Sequence, residues 1–256
     1  METELLKKHI QKALNETAAD FQKREDIICR FEDPVIAYVD AEDMRFDTFF
    51  ANGLNDHTKK IYRPGKTIIL HYTPLAEEIV DANEQSPAPT DEWVRGCIES
   101  LWLAMDLNRA LVNILGGLGR LTSFMNTMAE WDQTACREPW SHKIAAVIGG
   151  LGDTGPAGSL HVNGRYGRRV GGIITDGLYA EKAKPYSKKE LADELEKYKR
   201  DARFDGPCSD EMIAECPGNA ITKDGIDKHK CEVFCGGLNH IIPAPEVCGK
   251  CFRFTR

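Results

Sequence analysis

The chain has 256 residues, 42% hydrophobic and 29% charged, with a formal net charge of −7 at pH 7. That length predicts one large domain, or one domain with a small appendage, and enough apolar surface to bury a core without disulfide support. The composition excludes a disordered or fibrous chain. The acidic balance argues against a broad nucleic-acid-binding face, because phosphate binding needs clustered Lys and Arg.

The opening residues, METELLKKHIQKAL, alternate in charge and hold no apolar run of signal-peptide length. Nothing approaches the roughly 18 uninterrupted apolar residues of a membrane span. A cytoplasmic protein with no membrane partner is therefore expected. Leu5, Leu6, Ile10 and Leu14 fall at helical spacing within residues 2–24 and predict an opening helix. PVIAYVD and KTIILHY are short, β-branched and aromatic runs that predict strands. After a Pro- and Ser-containing loop at residues 86–89, Thr90 is placed to cap a long helix with Asp91 and Glu92 in its first turn. Trp93, Cys97, Leu101, Met105 and Leu111 give that helix a wide apolar stripe, and Gly116 is its expected stop. Residues 141–148 also read as a helix, capped by Ser141. Beyond Pro185, Ser187 and Glu190 form a capping box for KKELADELEKYKRDA, a mostly charged helix expected on the surface as a connector. Strands mixed with a long core helix predict an α/β (α+β) core. The expected division is residues 1–200 for that core and 201–256 for a tail.

The nine cysteines set the tail apart. Cys29, Cys97 and Cys136 are scattered over the first 207 residues, and the first two read as buried apolar cysteines. Cys208, Cys216, Cys231, Cys235, Cys248 and Cys251 crowd the remainder, where an even spread would place about two. In a reducing compartment such a group points to metal binding rather than to disulfides.

A glycine fingerprint precedes the tail. Gly150, Gly152 and Gly155 satisfy G-x-G-x-x-G after the apolar run IAAVI, with Asp176 further on. A dinucleotide site needs a helix to begin at those glycines. Pro156, Gly158, Gly164 and Gly167 predict turns there instead, which weighs against a nicotinamide cofactor.

The whole block SHKIAAVIGGLGDTGPAGSLHVNGRYGRRVGGIITD, residues 141–176, resembles the core of the epoxyqueuosine reductase family, which runs SHK-x-AA…AGLGWIGKN…YGPRVR…VLTD. Ser141, His142, Lys143, Gly150, Gly152, Gly155, Tyr166, Arg169 and Asp176 keep their order and spacing. The resemblance implies a nitroreductase-like α/β core that binds cobalamin, joined to a C-terminal ferredoxin-like module with two [4Fe–4S] clusters, as in the related reductive dehalogenases. It implies cofactor-facing roles for His142, Lys143, Gly150, Gly152, Gly155 and Arg169. It also implies an upstream aspartate as proton donor, for which Asp132 is the candidate. The family's tryptophan-isoleucine and lysine-asparagine around the last glycine are here Asp153-Thr154 and Pro156-Ala157.

In the tail, Cys216-Pro217 keeps the last cysteine of the ferredoxin pattern C-x₂-C-x₂-C-x₃-C-P, which ligates the second of the two clusters. The three earlier positions hold Gly206, Ser209 and Met212, none of them a thiolate. Cys231, Cys248 and Cys251 stand where the family completes the second cluster. The resemblance thus implies a single [4Fe–4S] cluster on Cys216, Cys231, Cys248 and Cys251, with Cys208 and Cys235 as buried neighbours or substitutes. A structural zinc site is the other reading of the same tail, since Cys231, Cys235, Cys248 and Cys251 have near zinc-ribbon spacing.

The expected function is an iron–sulfur oxidoreductase that reduces a small molecule, possessing a cobalamin if the family pattern holds. Its electrons would come from a donor such as ferredoxin or flavodoxin. The alternatives are a non-catalytic electron-transfer or corrinoid-handling protein and a zinc-stabilised binding protein. The acidic charge argues against tRNA as a partner.

Overall fold

The computed structural model describes residues 2–125, 138–166, 169–202, 208–238 and 247–254. Asp132, Cys136 and Gly206 lie outside the described residues. In chain order the elements are α1 (Glu2–Phe21), β1 (Val35–Asp40), α2 (Met44–Ala51), α3 (Thr58–Ile61), β2 (Thr67–Thr73), α4 (Glu77–Gln85), α5 (Asp91–Gly117) and β3 (Thr122–Phe124). They continue as α6 (His142–Ile148), β4 (Asp153–Thr154), β5 (Leu160–Val162), β6 (Arg165–Tyr166), β7 (Arg169–Thr175) and α7 (Lys188–Ala202). The tail adds α8 (Asp210–Ala214), β8 (Ile221–Thr222), β9 (Gly225–Ile226) and α9 (Lys228–Leu238), and ends in a 3₁₀ turn at Lys250–Arg253. The architecture is mixed helix and sheet, as expected. Among the described residues no helix is long and apolar enough to cross a membrane.

The central sheet runs β1-β2-β7-β3 with every neighbour antiparallel. Alternation along a strand sends successive side chains to opposite faces, and both faces here are covered. Ile68, Leu70 and Tyr72 of β2 join Val170 and Ile174 of β7 in the layer closed by α2, α6 and α7. Ile69 and Ile173 enter the opposite layer, closed by α1 and α5. Burial on both sides explains why KTIILHY is an almost continuous apolar run rather than an alternating one. Each such side chain removed from water contributes about 1.5–3 kcal/mol.

The caps form where local chemistry placed them. Thr90 Oγ1 accepts from the Trp93 N–H at 3.3 Å, and Ser141 Oγ accepts from the Ile144 N–H at 3.3 Å. Ser187 and Glu190 exchange both bonds of a capping box, at 2.8 and 3.2 Å. The helix this box starts is not, however, a surface connector. Leu195, Tyr198 and Ala202 of α7 are buried in the sheet's second layer, where the Tyr198 ring meets Phe49 edge-on at 5.1 Å. These apolar residues recur at one face of the helix, and one such stripe suffices to dock a helix whose other positions are charged. The same helix runs through residue 200 to Ala202.

The tail is fastened to the core rather than tethered to it. Trp93 of α5 donates its indole N–H to the Val247 carbonyl at 2.8 Å. Lys250 is buried and donates its ammonium to the carbonyls of Asn83 and Ser86 at the end of α4. Tyr166 packs edge-on against Phe252 at 5.7 Å.

Candidate functional site

The tail cysteines converge from three chain segments. On α9, Cys231 and Cys235 are four residues apart and so lie one turn apart on one face. Their thiols are hydrogen-bonded to each other, which is the first cause raising the Cys231 thiol; burial and the neighbouring Cys235, Cys251 and Cys248 add to it. Cys216 follows α8, and its sulfur accepts the Ala220 N–H at 3.3 Å. Cys248 and Cys251 bracket the start of the 3₁₀ turn. Burial pushes the Cys248 thiol up to about 12, against the Lys250 N–H, with Cys235 and Cys216 raising it further. Burial also raises Cys251, followed by the influence of Cys248, Cys216 and Cys235. Cys216 and Cys235 thus both lie near enough to act on Cys248 and Cys251, and Cys231 feels Cys235, Cys248 and Cys251. Among the described residues, no three or more His, Cys, Asp or Glu side chains are arranged to hold a metal ion as they stand.

The remaining described cysteines have packing roles. Cys208 is buried with Met212 and Ile221. Cys97 packs beside Cys235 and Cys248 from α5. Cys29 is buried among α1 and α5, as expected of an apolar cysteine. Two positions that hold ligands in the two-cluster pattern have structural work here. Ser209 caps α8 by accepting the Met212 N–H at 3.1 Å, and Met212 itself is 0% exposed.

Beside the thiols an open cleft of about 190 Å³ is lined by Leu75, Val80, Glu84, Tyr166 and Arg253 among others. Arg253 shares the terminal turn with Cys251. The Tyr166 hydroxyl donates to Glu84 Oε1 at 2.8 Å.

The glycine block forms a small antiparallel sheet, β4-β5-β6, and no helix begins at its glycines. Gly150 is exposed with φ +68, a left-handed position. A Cβ at Gly152 would lie 2.3 Å from the His161 carbonyl oxygen, and one at Gly155 would lie 2.1 Å from His161 Nε2. The close approach that these two glycines permit is thus taken by the chain's own β5. The backbone is not left open there for a corrinoid, and the cleft at Arg253 is below the roughly 300–1,000 Å³ of even a drug-sized ligand site.

No family model, curated protein or solved structure matches this chain.

Near His142 and Arg169 lies a buried polar pair inside the core, His71 with Asn108. His71, in the middle of β2, is 0% exposed. Its Nε2 pairs with Asn108 Oδ1 of α5 at 2.9 Å, and its Nδ1 has no partner. Gly171 opposite makes room for the ring, since a Cβ there would lie 2.4 Å from His71 Cε1. Arg169, two residues along the same face of β7, is half-buried, with its Nε buried and unpartnered. His142, at the start of α6, lies within electrostatic reach of both. Burial lowers His71 to about 4; burial, then His71 and Arg169, lower His142 to about 3. Both imidazoles are neutral at physiological pH. Lys143 follows on the same short helix, half-buried. His71 and Asn108 are the residues here that sequence reasoning did not single out. A histidine within an apolar strand was the available signal for His71.

Proposed function

We propose that this chain is an iron–sulfur protein that carries one [4Fe–4S] cluster on Cys216, Cys231, Cys248 and Cys251 and delivers single electrons to a small molecule. The observation that carries the reading is the arrival of Cys216, from before α9, at Cys248 and Cys251. A zinc ribbon has no use for that residue, whereas the donor set of an iron–sulfur cube is four thiolates. The Ala220 N–H on the Cys216 sulfur is the kind of bond that tunes such a centre. The side chains as they stand pair thiol with thiol, and coordination exchanges those protons for metal. Four irons take one thiolate each, so the ligands spread wider than around one ion.

When bound, the cluster supplies one-electron reduction. Arg253 and the Tyr166–Glu84 pair then border the place where a small molecule approaches the thiols. A ferredoxin or flavodoxin is the fitting class of donor. Because the glycine block is closed by His161, no step is assigned to a cobalamin. The nitroreductase-like description of the core and the ferredoxin-like description of the tail belong to the same proposal. So does a proton donor at Asp132.

Zinc is the second reading, favoured by the presence of Cys235 among the thiols. Anaerobic purification with metal analysis and a visible spectrum separates the two. The iron–sulfur reading expects a brown protein with about four irons per chain. Cys216→Ala should lose iron and colour, and Cys235→Ala should keep both. A colourless protein with one zinc, lost in Cys235→Ala and retained in Cys216→Ala, overturns the proposal.

A further inference from the structure

We propose that the cleft between α4 and the terminal 3₁₀ turn binds a small molecule by a primary ammonium group on a short alkyl chain. The cleft measures about 190 Å³. With roughly 30 Å³ as the share of one water, that is space for about six heavy atoms.

One helix face shapes the cleft. Glu77, Val80, Asp81 and Glu84 are spaced i, i+3, i+4 and i+7 along α4, so they form a single stripe, and all four line the cavity. Leu75, 2% exposed, and the buried Tyr166 add apolar wall. Acids on an exposed helix ordinarily stay solvated. These three border a cavity with apolar walls, where an alkyl chain leaves water while its charge stays among the carboxylates.

Charge selects a cation. Glu77, Asp81 and Glu84 bring three formal negative charges to the cleft, and Arg253 brings one positive. Arg253 is already engaged: one terminal nitrogen donates to the Glu84 carbonyl at 3.1 Å, and the other pairs with Glu215, outside the cleft. The Tyr166 hydroxyl donates to Glu84 Oε1 at 2.8 Å and holds that carboxylate in place. A carboxylate accepts at several lone pairs, so Glu84 keeps capacity for an ammonium N–H. The three donors of a primary ammonium suit carboxylates on successive helical turns. A hard divalent cation asks for six or more oxygen ligands, and the apolar walls supply none.

Binding requires no iron, whereas reduction of the bound molecule rests on the iron–sulfur reading. n-Butylamine hydrochloride is titrated calorimetrically into the full-length protein at neutral pH, with metal content measured on the same preparation. n-Butanol, potassium chloride and calcium chloride are the controls. One saturable site per chain is expected for the amine and none for the controls. Glu84→Gln, whose amide still accepts from Tyr166, should weaken binding about fivefold, and Asp81→Asn about threefold. Val80→Phe should fill the cavity and abolish binding. Glu78→Gln, outside the stripe and paired with Arg30, should change nothing. Melting curves establish that each variant is folded, and the exposed Asp81 carries the test if Val80→Phe is not. The proposal is overturned if butylamine gives no saturable heat, if butanol or calcium binds equally, or if Glu78→Gln weakens binding as much as Glu84→Gln. A chain that binds the amine but holds no iron keeps this site and loses the electron-transfer role. A chain with four irons that ignores the amine keeps the cluster and loses this site.

Discussion

His71 shows how one residue couples folding to pH. Burial holds its imidazole at about 4 in the folded chain, below its ordinary value of 6.5. Between those values the unfolded chain binds more protons than the folded one. Stability is therefore fully present above about pH 6.5 and is lost as pH falls toward 4, by about 3 kcal/mol in all. His71→Gln keeps an amide partner for Asn108 and removes the titration, so the urea midpoint of that variant should fall less steeply over the window. An acid limb of unchanged slope would show that His71 is not the group responsible. The thiols were legible at this scale in a way that His71 was not. Cysteine spacing is local and unusual, so Cys216, Cys231, Cys235, Cys248 and Cys251 all stood out in the sequence. The unpartnered atoms of His71 and Arg169 depend on which groups fold against them, and no spacing reports that.

At the scale of the element, caps were readable and docking was not. Thr90, Ser141 and Ser187 start helices because a side-chain oxygen satisfies an amide within three residues, which is a matter of local sequence. The packing of α7 depends on what lies opposite its narrow apolar stripe. Tyr198→Ala removes a buried ring from Phe49 and should cost about 3–5 kcal/mol by chemical denaturation. Glu196→Ala, on the exposed side of the same helix, should stay within about 0.5 kcal/mol. Equal effects for the two would mean that α7 does not pack on the sheet. The glycine block carries the same lesson. Its G-x-G-x-x-G spacing matched a cofactor turn, but β5 fills the space at Gly152 and Gly155. A short motif specifies small residues without specifying what comes close to them.

Across the whole molecule, the tail and the core act as one body where Gly249 meets Trp93. Gly249 has φ +66, and a Cβ there would lie 2.2 Å from Trp93 Cζ2. Gly249→Ala should therefore strain the backbone and displace the Cys248–Cys251 turn, lowering the melting temperature by several degrees. It should also reduce bound metal. Gly237→Ala is the matched control, because a Cβ on that turn of α9 meets nothing within 4 Å. It should raise stability by about 0.5–1 kcal/mol through helix propensity. If Gly249→Ala melts with the parent protein and keeps its metal, the tail does not rely on this contact.

The sequence by itself determined what depends on near neighbours. The first strands, the long capped helix, the Ser141 and Ser187 helix starts and the thiol-rich tail all rest on residues a few positions apart. Only the tertiary structure decided which cysteines meet, which glycines are already filled, and that a histidine is buried against Asn108 in the middle of the sheet. Those outcomes rest on contacts between segments distant in the chain, such as β2 with β7 and α5 with the terminal turn. Side-chain spacing along one segment carries the periodicity of that segment, and the identity of its partner is settled when the sheet pairs and the helices close over it.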